Sequence, residues 1–221
     1  MRDAFHDDLD KVSDDLVEMT TMVGAAMRRA TTALLETDLT TAESVIAADD
    51  DIDALRREVD DRAVDLLARQ QPVATDLRMV VTAMHMASDI ERMGDLARHV
   101  AKAARRRYPD CAVPDQLRNT IREMAEVAEQ LVTATGSAIA NKDVHGAVEI
   151  ESIDDRMDEL HRKVFGELLD QSWEHGTEAA VDTTLISRYY ERFGDHAVAV
   201  ADRIVYLVTG RYGTQDEGLQ R

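Results

Sequence analysis

Cysteine, proline, aromatic residues and lysine are all scarce in this chain, and each scarcity excludes something. The single cysteine, Cys111, rules out an intrachain disulfide and fits a reducing compartment. Three prolines and ten glycines in 221 residues leave room for long, regular elements. Aromatic residues make up only 4%, while Ala, Leu, Val and Met are plentiful, a balance that favours helix over a β-sandwich. Lysine occurs only at Lys11, Lys102, Lys142 and Lys163, so arginine supplies nearly all the positive charge; this reads as compositional bias and not as a site. No apolar run approaches the ~18 residues of a membrane span. The opening stretch "MRDAFHDDLD" lacks a signal-peptide core, and the expected location is cytoplasmic.

What remains is the composition of a globular chain, 44% hydrophobic and 32% charged, with a formal charge of −18. Such a surface repels phosphate backbones and anionic headgroups, which excludes nucleic acid as a partner and points instead to cations.

Helical periodicity runs through the whole chain. Apolar spacing predicts six long helices over 3–36, 39–70, 75–106, 115–141, 144–172 and 177–209. The interruptions have local causes. Asp38 and Thr40 offer caps, Pro72 cannot sit inside a helix, and Gly176 lies beyond a helix end. "YPDCAVPD", with Pro109 and Pro114, reads as the joint between two halves.

Those halves repeat. Asp38/Asp143, Ala42/Ala147, Asp49/Asp154, Asp53/Asp158 and Leu55/Leu160 share one offset of 105 residues. The offset becomes 100 for Glu91/Glu191, Arg92/Arg192, Gly94/Gly194, Asp95/Asp195, Ala97/Ala197 and Val100/Val200, the difference falling in the turn "RQQPVATDL". A fixed frame with one loop deletion is the mark of a duplicated unit. The fold expected is all-α, two tandem three-helix bundles: residues 1–107, residues 112–210, and a flexible tail over 211–221.

The repeat preserves pairs of acids four residues apart: Asp49/Asp53 and Glu91/Asp95 in the first half, Asp154/Asp158 and Glu191/Asp195 in the second. Residues at that spacing share a helix face, where like charges repel by a few tenths of a kcal/mol. On the last helix Tyr190, Phe193, Ala197, Val200, Ile204 and Leu207 form the apolar stripe, with Glu191 and Asp195 across from it. In the first half Ile90, Met93, Ala97 and Val100 play that part. The acids are therefore expected outside the core, on an accessible face, where helices two and three of each half converge four carboxylates on one patch. Oxygen ligands in such a cluster suit hard divalent cations, and iron also accepts carboxylates. Two readings stay open: a bound metal, or neutralisation by Arg92 and Arg192. Accidental i,i+4 pairs such as Asp10/Asp14 and Asp61/Asp65 have no counterpart in the repeat.

Gly94 and Gly194 interrupt helices at a cost of about 1 kcal/mol each relative to alanine, which points to a neighbouring helix, or a ligand, packed close against them. His99, one turn beyond Asp95, reads as a solvated side chain, and Trp173 as a core plug. There is no E-x-x-H pair, no phosphate-binding glycine loop and no nucleophile elbow, so no catalytic constellation is expected.

The stretches "LLARQQPVATDLRMVVTAMHMASDIERMGDLARHVAK" and "RYYERFGDHAVAVADRIVYLVTG" resemble the PhoU family, and its actinobacterial members in particular; the likeness runs from "RDAFHDDLD" to "YLVTG". The resemblance implies the same pair of three-helix bundles. It further implies a non-enzymatic cytoplasmic regulator that couples the phosphate ABC transporter to the membrane-bound sensor histidine kinase. Such a regulator represses the response when phosphate is plentiful, with homodimer formation a further expectation. The family's E(D)-x-x-x-D motifs, which bind metal in some members, map onto Asp49, Asp53, Glu91, Asp95, Asp154, Asp158, Glu191 and Asp195, for an ion such as Mg, Mn, Zn or Fe. The alternative class is a helical metal-storage protein or metalloenzyme built on the same carboxylates.

Overall fold

Six helices carry the chain: α1 (Arg2–Glu36), α2 (Leu39–Gln70), α3 (Thr75–Arg107), α4 (Asp115–Asn141), α5 (Val144–Leu168) and α6 (Gly176–Thr209). The structure, a computed structural model, describes residues 2–211, with side chains from residue 7 onward. The expected tail, apart from Arg211, lies outside the described residues.

The helices form where the apolar spacing places them. On α1 Leu9, Val12, Leu16, Met19, Val23, Met27, Ala30 and Leu34 recur every three or four residues and are all buried. On α4 Leu117, Ile121, Met124, Ala128, Leu131 and Ala138 do the same. Each Leu, Ile or Met removed from water in this way contributes about 1.5–3 kcal/mol. The repeat extends to the caps: Asp38 accepts from the Thr41 N–H at the start of α2, and Asp143 from the His145 N–H at the start of α5.

Two boundaries differ from the sequence expectation. α5 ends at Leu168, four residues early, because the Asp170 carboxylate accepts from the Ser172 N–H and turns the chain. Gly176 opens α6, with φ of 79°, instead of following the end of α5. Trp173 packs partly buried against the core as expected, its Nε1 donating to the Gly176 carbonyl at 2.9 Å.

α2, α3, α6 and α5 lie side by side in that order, backed by α1 and α4. α1 packs on α2, α3 and α4, and α4 packs on α1, α5 and α6, so the two three-helix units share one core. The units meet through antiparallel pairs. Along α3 and α6, Arg78 lies over Tyr206, Asp89 meets His196, His99 stacks on Tyr189, and Arg106 and Arg107 grip Asp182. Residue numbers rise on one helix as they fall on the other, which sets Gly94 level with Gly194. Asp182 is only 4% exposed, and both arginines neutralise it, Arg106 at 2.7 Å.

One buried hydrogen bond ties α1 to α6. The Tyr190 hydroxyl is 2.6 Å from Thr31 Oγ1, and that threonine hydroxyl donates to the Met27 carbonyl at 2.8 Å, so Tyr190 is the donor between them. Tyr190→Phe removes the bond and leaves Thr31 satisfied. The expected loss is about 1 kcal/mol in urea unfolding; an unchanged midpoint would show that the bond contributes nothing.

Candidate functional site: two acidic seams

The eight repeated acids do gather in two groups, one in the seam between α2 and α3 and one in the seam between α5 and α6. Asp49 and Asp53 lie one turn apart on α2, opposite Glu91 and Asp95 on α3, and Asp154 and Asp158 on α5 oppose Glu191 and Asp195 on α6. Their depth corrects the sequence expectation of an accessible outer face. Asp49 is only 4% exposed; Asp53, Glu91, Asp95, Asp154 and Glu191 are half-buried; only Asp158 and Asp195 are exposed. The wheel of a single helix separates the acids from that helix's own apolar stripe. It does not show that α2 and α5 close over the same flank.

Each glycine admits this closure. A β-carbon at Gly94 would sit 3.0 Å from Ile52 Cδ1, and one at Gly194 would overlap Asp154 Oδ1. Gly194 therefore lets a carboxylate rest directly on the α6 backbone.

The seams differ in counter-charge. In the first, Arg98 reaches across from α3, with Nη1 2.5 Å from Asp49 Oδ2 and Nη2 donating to Asp95 Oδ1. The contact with Asp49 is short but poorly aligned, so it acts as an ion pair more than as a directed hydrogen bond. Arg92 donates to Asp95 Oδ2 at 2.6 Å, Lys102 lies within range of Asp49, and Arg56 within range of Glu91. Burial still pushes the Asp49 carboxyl above its ordinary value, with Arg98 opposing and Asp95 and Asp53 adding to the rise. Glu91 is raised chiefly by burial as well, and then by Asp95, against Arg92.

The second seam has little of this. Arg188 donates to Glu191 Oε1, but burial and Asp195 hold the Glu191 carboxyl above its usual range. Asp154 faces only like charge: burial, then Asp158, Asp195 and Glu191, push its carboxyl up to about 7. Asp154 Oδ1 and Glu191 Oε2 are buried and receive no hydrogen bond. His161, on the adjoining turn of α5, accepts from or donates to Ser187 Oγ at 3.2 Å and lies within range of Asp158 and Asp195.

A groove of about 310 Å³ separates the seams along α3 and α6, lined by Arg92, His99, Arg188, Tyr189, Arg192 and His196 among others. Arg92 and Arg188 reach from it to the acids on either side. His99, expected in solvent, is half-buried and stacked on Tyr189 at 5.1 Å. Sequence reasoning named Arg92 and Arg192 as the counter-charges and missed Arg98 and Arg188. Arg98 stands three residues after Asp95, a spacing that puts it on the same face.

Among the described residues, no three Asp, Glu, His or Cys side chains are drawn around one point as a metal ion would hold them. The donor chemistry of the second seam nonetheless fits a hard cation, since it offers carboxylate oxygens, two of them buried and unpartnered. The first seam does not fit, because Arg98 already bridges its two deepest carboxylates.

Fold and seams together define a duplicated helical-bundle protein whose polar chemistry runs along the third helix of each repeat. The PhoU domain model matches residues 16–104 and again 121–204, one match per repeat. The chain is 47% identical over 212 residues to "Phosphate-specific transport system accessory protein PhoU homolog 2" of Mycobacterium tuberculosis, covering 96% of this chain and 100% of that protein. It is 45% identical to the PhoU homolog 1 of Mycobacterium leprae, covering 98% and 97%. The crystal structure of PhoU from Pseudomonas aeruginosa superimposes with a TM-score of 0.86 at 28% identity, covering 94% of this chain and all of that one. The chain belongs to the PhoU family.

The isolated carboxyl of Asp154 makes stability depend on pH. The folded chain holds its proton to about pH 7, whereas the ordinary value is 3.8, so between the two the folded state binds more protons than the unfolded. Its contribution is fully present below the lower value and is lost as pH rises through the upper one. Urea unfolding of chelator-treated protein should therefore show stability falling across that window, and Asp154→Asn should flatten the fall. An equally steep limb in the variant would contradict the assignment.

Proposed function

We propose that this protein is a cytoplasmic regulator of phosphate uptake and of the phosphate-starvation response. In this reading it couples the phosphate ABC transporter to the membrane-bound sensor histidine kinase and represses the response when phosphate is plentiful. The observation that carries the reading is full-length membership in the PhoU family, whose curated relatives are named phosphate-specific transport system accessory proteins. Two further features support it. The antiparallel α3/α6 pair packs both repeats into one core, with acid, base and acid alternating across α2, α3, α6 and α5. Among the described residues no helix is long and apolar enough to cross a membrane, which suits an adapter that meets its partners at the bilayer surface.

An adapter of this kind acts by differential affinity: a partner whose conformation reports phosphate status shifts the adapter between binding modes. Its partners are the transporter, the kinase and a second copy of itself. The second seam, through Asp154, Asp158, Glu191 and Asp195, would hold a cation such as Mg, Mn, Zn or Fe. Such an ion would neutralise carboxylates of which only Glu191 has an arginine partner, Arg188, and would join α5 to α6.

Deleting the gene and measuring phosphate-response output in rich phosphate tests the regulatory reading. Loss of repression, restored by the intact gene, is expected; repression unchanged in the deletion strain would refute it.

A further inference from the structure

The two seams are alike in their acids and unlike in what answers them. At the positions related by the repeat, Arg98 becomes Val198, Lys102 becomes Asp202, and Arg56 becomes His161. Each replacement removes a permanent positive charge from the second half. Val198 packs partly buried against the core and so puts an apolar group where Arg98 puts a guanidinium. The consequence is visible at the repeat-related pair Asp49 and Asp154: Asp49 is 4% exposed and forms an ion pair with Arg98 at 2.5 Å, whereas the buried Oδ1 of Asp154 has no hydrogen bond and no cationic partner.

We propose that Arg98 is the resident counter-cation of the first seam and closes that seam to metal, so that a bound cation answers only the second. This rests on the reading of the second seam as a cation site. The physical grounds are competition for the same lone pairs. A guanidinium is always charged, and its planar fork engages two carboxylates at once, here Asp49 and Asp95. A divalent ion in the first seam would have to strip that fork from a nearly inaccessible carboxylate and then sit beside it as a like charge. A valine at the equivalent place in the second half imposes neither cost.

The proposal assigns the halves different dependences. The first seam is complete as the chain folds. The second depends on what the solution supplies. The repeat thus yields one constitutive brace and one conditional brace on opposite flanks of the α3/α6 pair, and the asymmetry comes from arginine placement while all eight acids are retained.

Thermal unfolding and Mn²⁺ content of purified full-length variants, with Mn²⁺ as the probe and chelator as the blank, separate the possibilities. The wild type should gain about 5–10 °C in Tm at a hundredfold excess of Mn²⁺ over Kd. Asp154→Asn with Glu191→Gln should abolish the gain. Adding Arg98→Val to that pair should restore it by opening the first seam. Arg98→Gln, which keeps much of the volume, serves the same purpose if Arg98→Val fails to fold. On the Asp154→Asn/Glu191→Gln background, combining Arg98→Val with Asp49→Asn should recover stability without any response to Mn²⁺. Retention of Mn²⁺ by the Asp154→Asn/Glu191→Gln protein, lost on Asp49→Asn, would overturn the proposal, because the first seam would then bind metal with Arg98 in place. If the wild type binds no Mn²⁺, the reading of the second seam fails by itself. Arg98 is then judged separately: Mn²⁺ uptake on its removal supports its blocking role, and no uptake overturns it.

Discussion

The antiparallel packing of α3 on α6 is the contact on which the rest of the molecule depends. It fuses two three-helix units into one core, with Ile90, Met93, Val100, Tyr190, Phe193 and Val200 all buried on either side of it. A unit of about 100 residues is large enough for a core of its own, and joining two raises the buried fraction further without lengthening any helix. The same pairing sets Gly94 and Gly194 at one height and brings both acidic seams and the groove between them to neighbouring positions. Asp182, held by Arg106 and Arg107, closes one end of the pair, and Asp89, held by His196 and Arg203, braces its interior.

Against that frame the acids pose an electrostatic problem that the duplication leaves solved in one half. A carboxylate placed beside an apolar core loses hydration, and a second one four residues away adds repulsion. The first seam meets this with Arg98, Arg92, Arg56 and Lys102. The second leaves Asp154 with like charges alone and raises its carboxyl to about 7. Identical acids therefore sit in different electrostatic states, which is how a duplicated scaffold can come to hold two functions while its motif stays unbroken. The mismatch would escape any reading of the acids by themselves.

Much of the fold was legible from periodicity because long helices state their buried face every three or four residues. Six helices, their boundaries within a few residues and the two-bundle duplication all follow from spacing, caps and a constant offset. The early end of α5 was not legible, since it turns on one side-chain hydrogen bond from Asp170 that competes with a helix the local residues would tolerate. Nor was the depth of the acids. A helical wheel describes one rod, and burial at Asp49 and Asp154 is decided by the rod laid against it.

The sequence by itself determined that the chain is helical and duplicated, that it belongs with PhoU-like proteins, and that eight acids recur in register. These are properties of local spacing and of internal identity, both carried by the residues in order. Only the tertiary structure decided that the acids lie in seams, that Arg98 answers those of the first half and that nothing equivalent answers Asp154. Counter-charge is a property of distance in space. The approach of α2 to α3 and of α5 to α6, permitted by two glycines, set those distances.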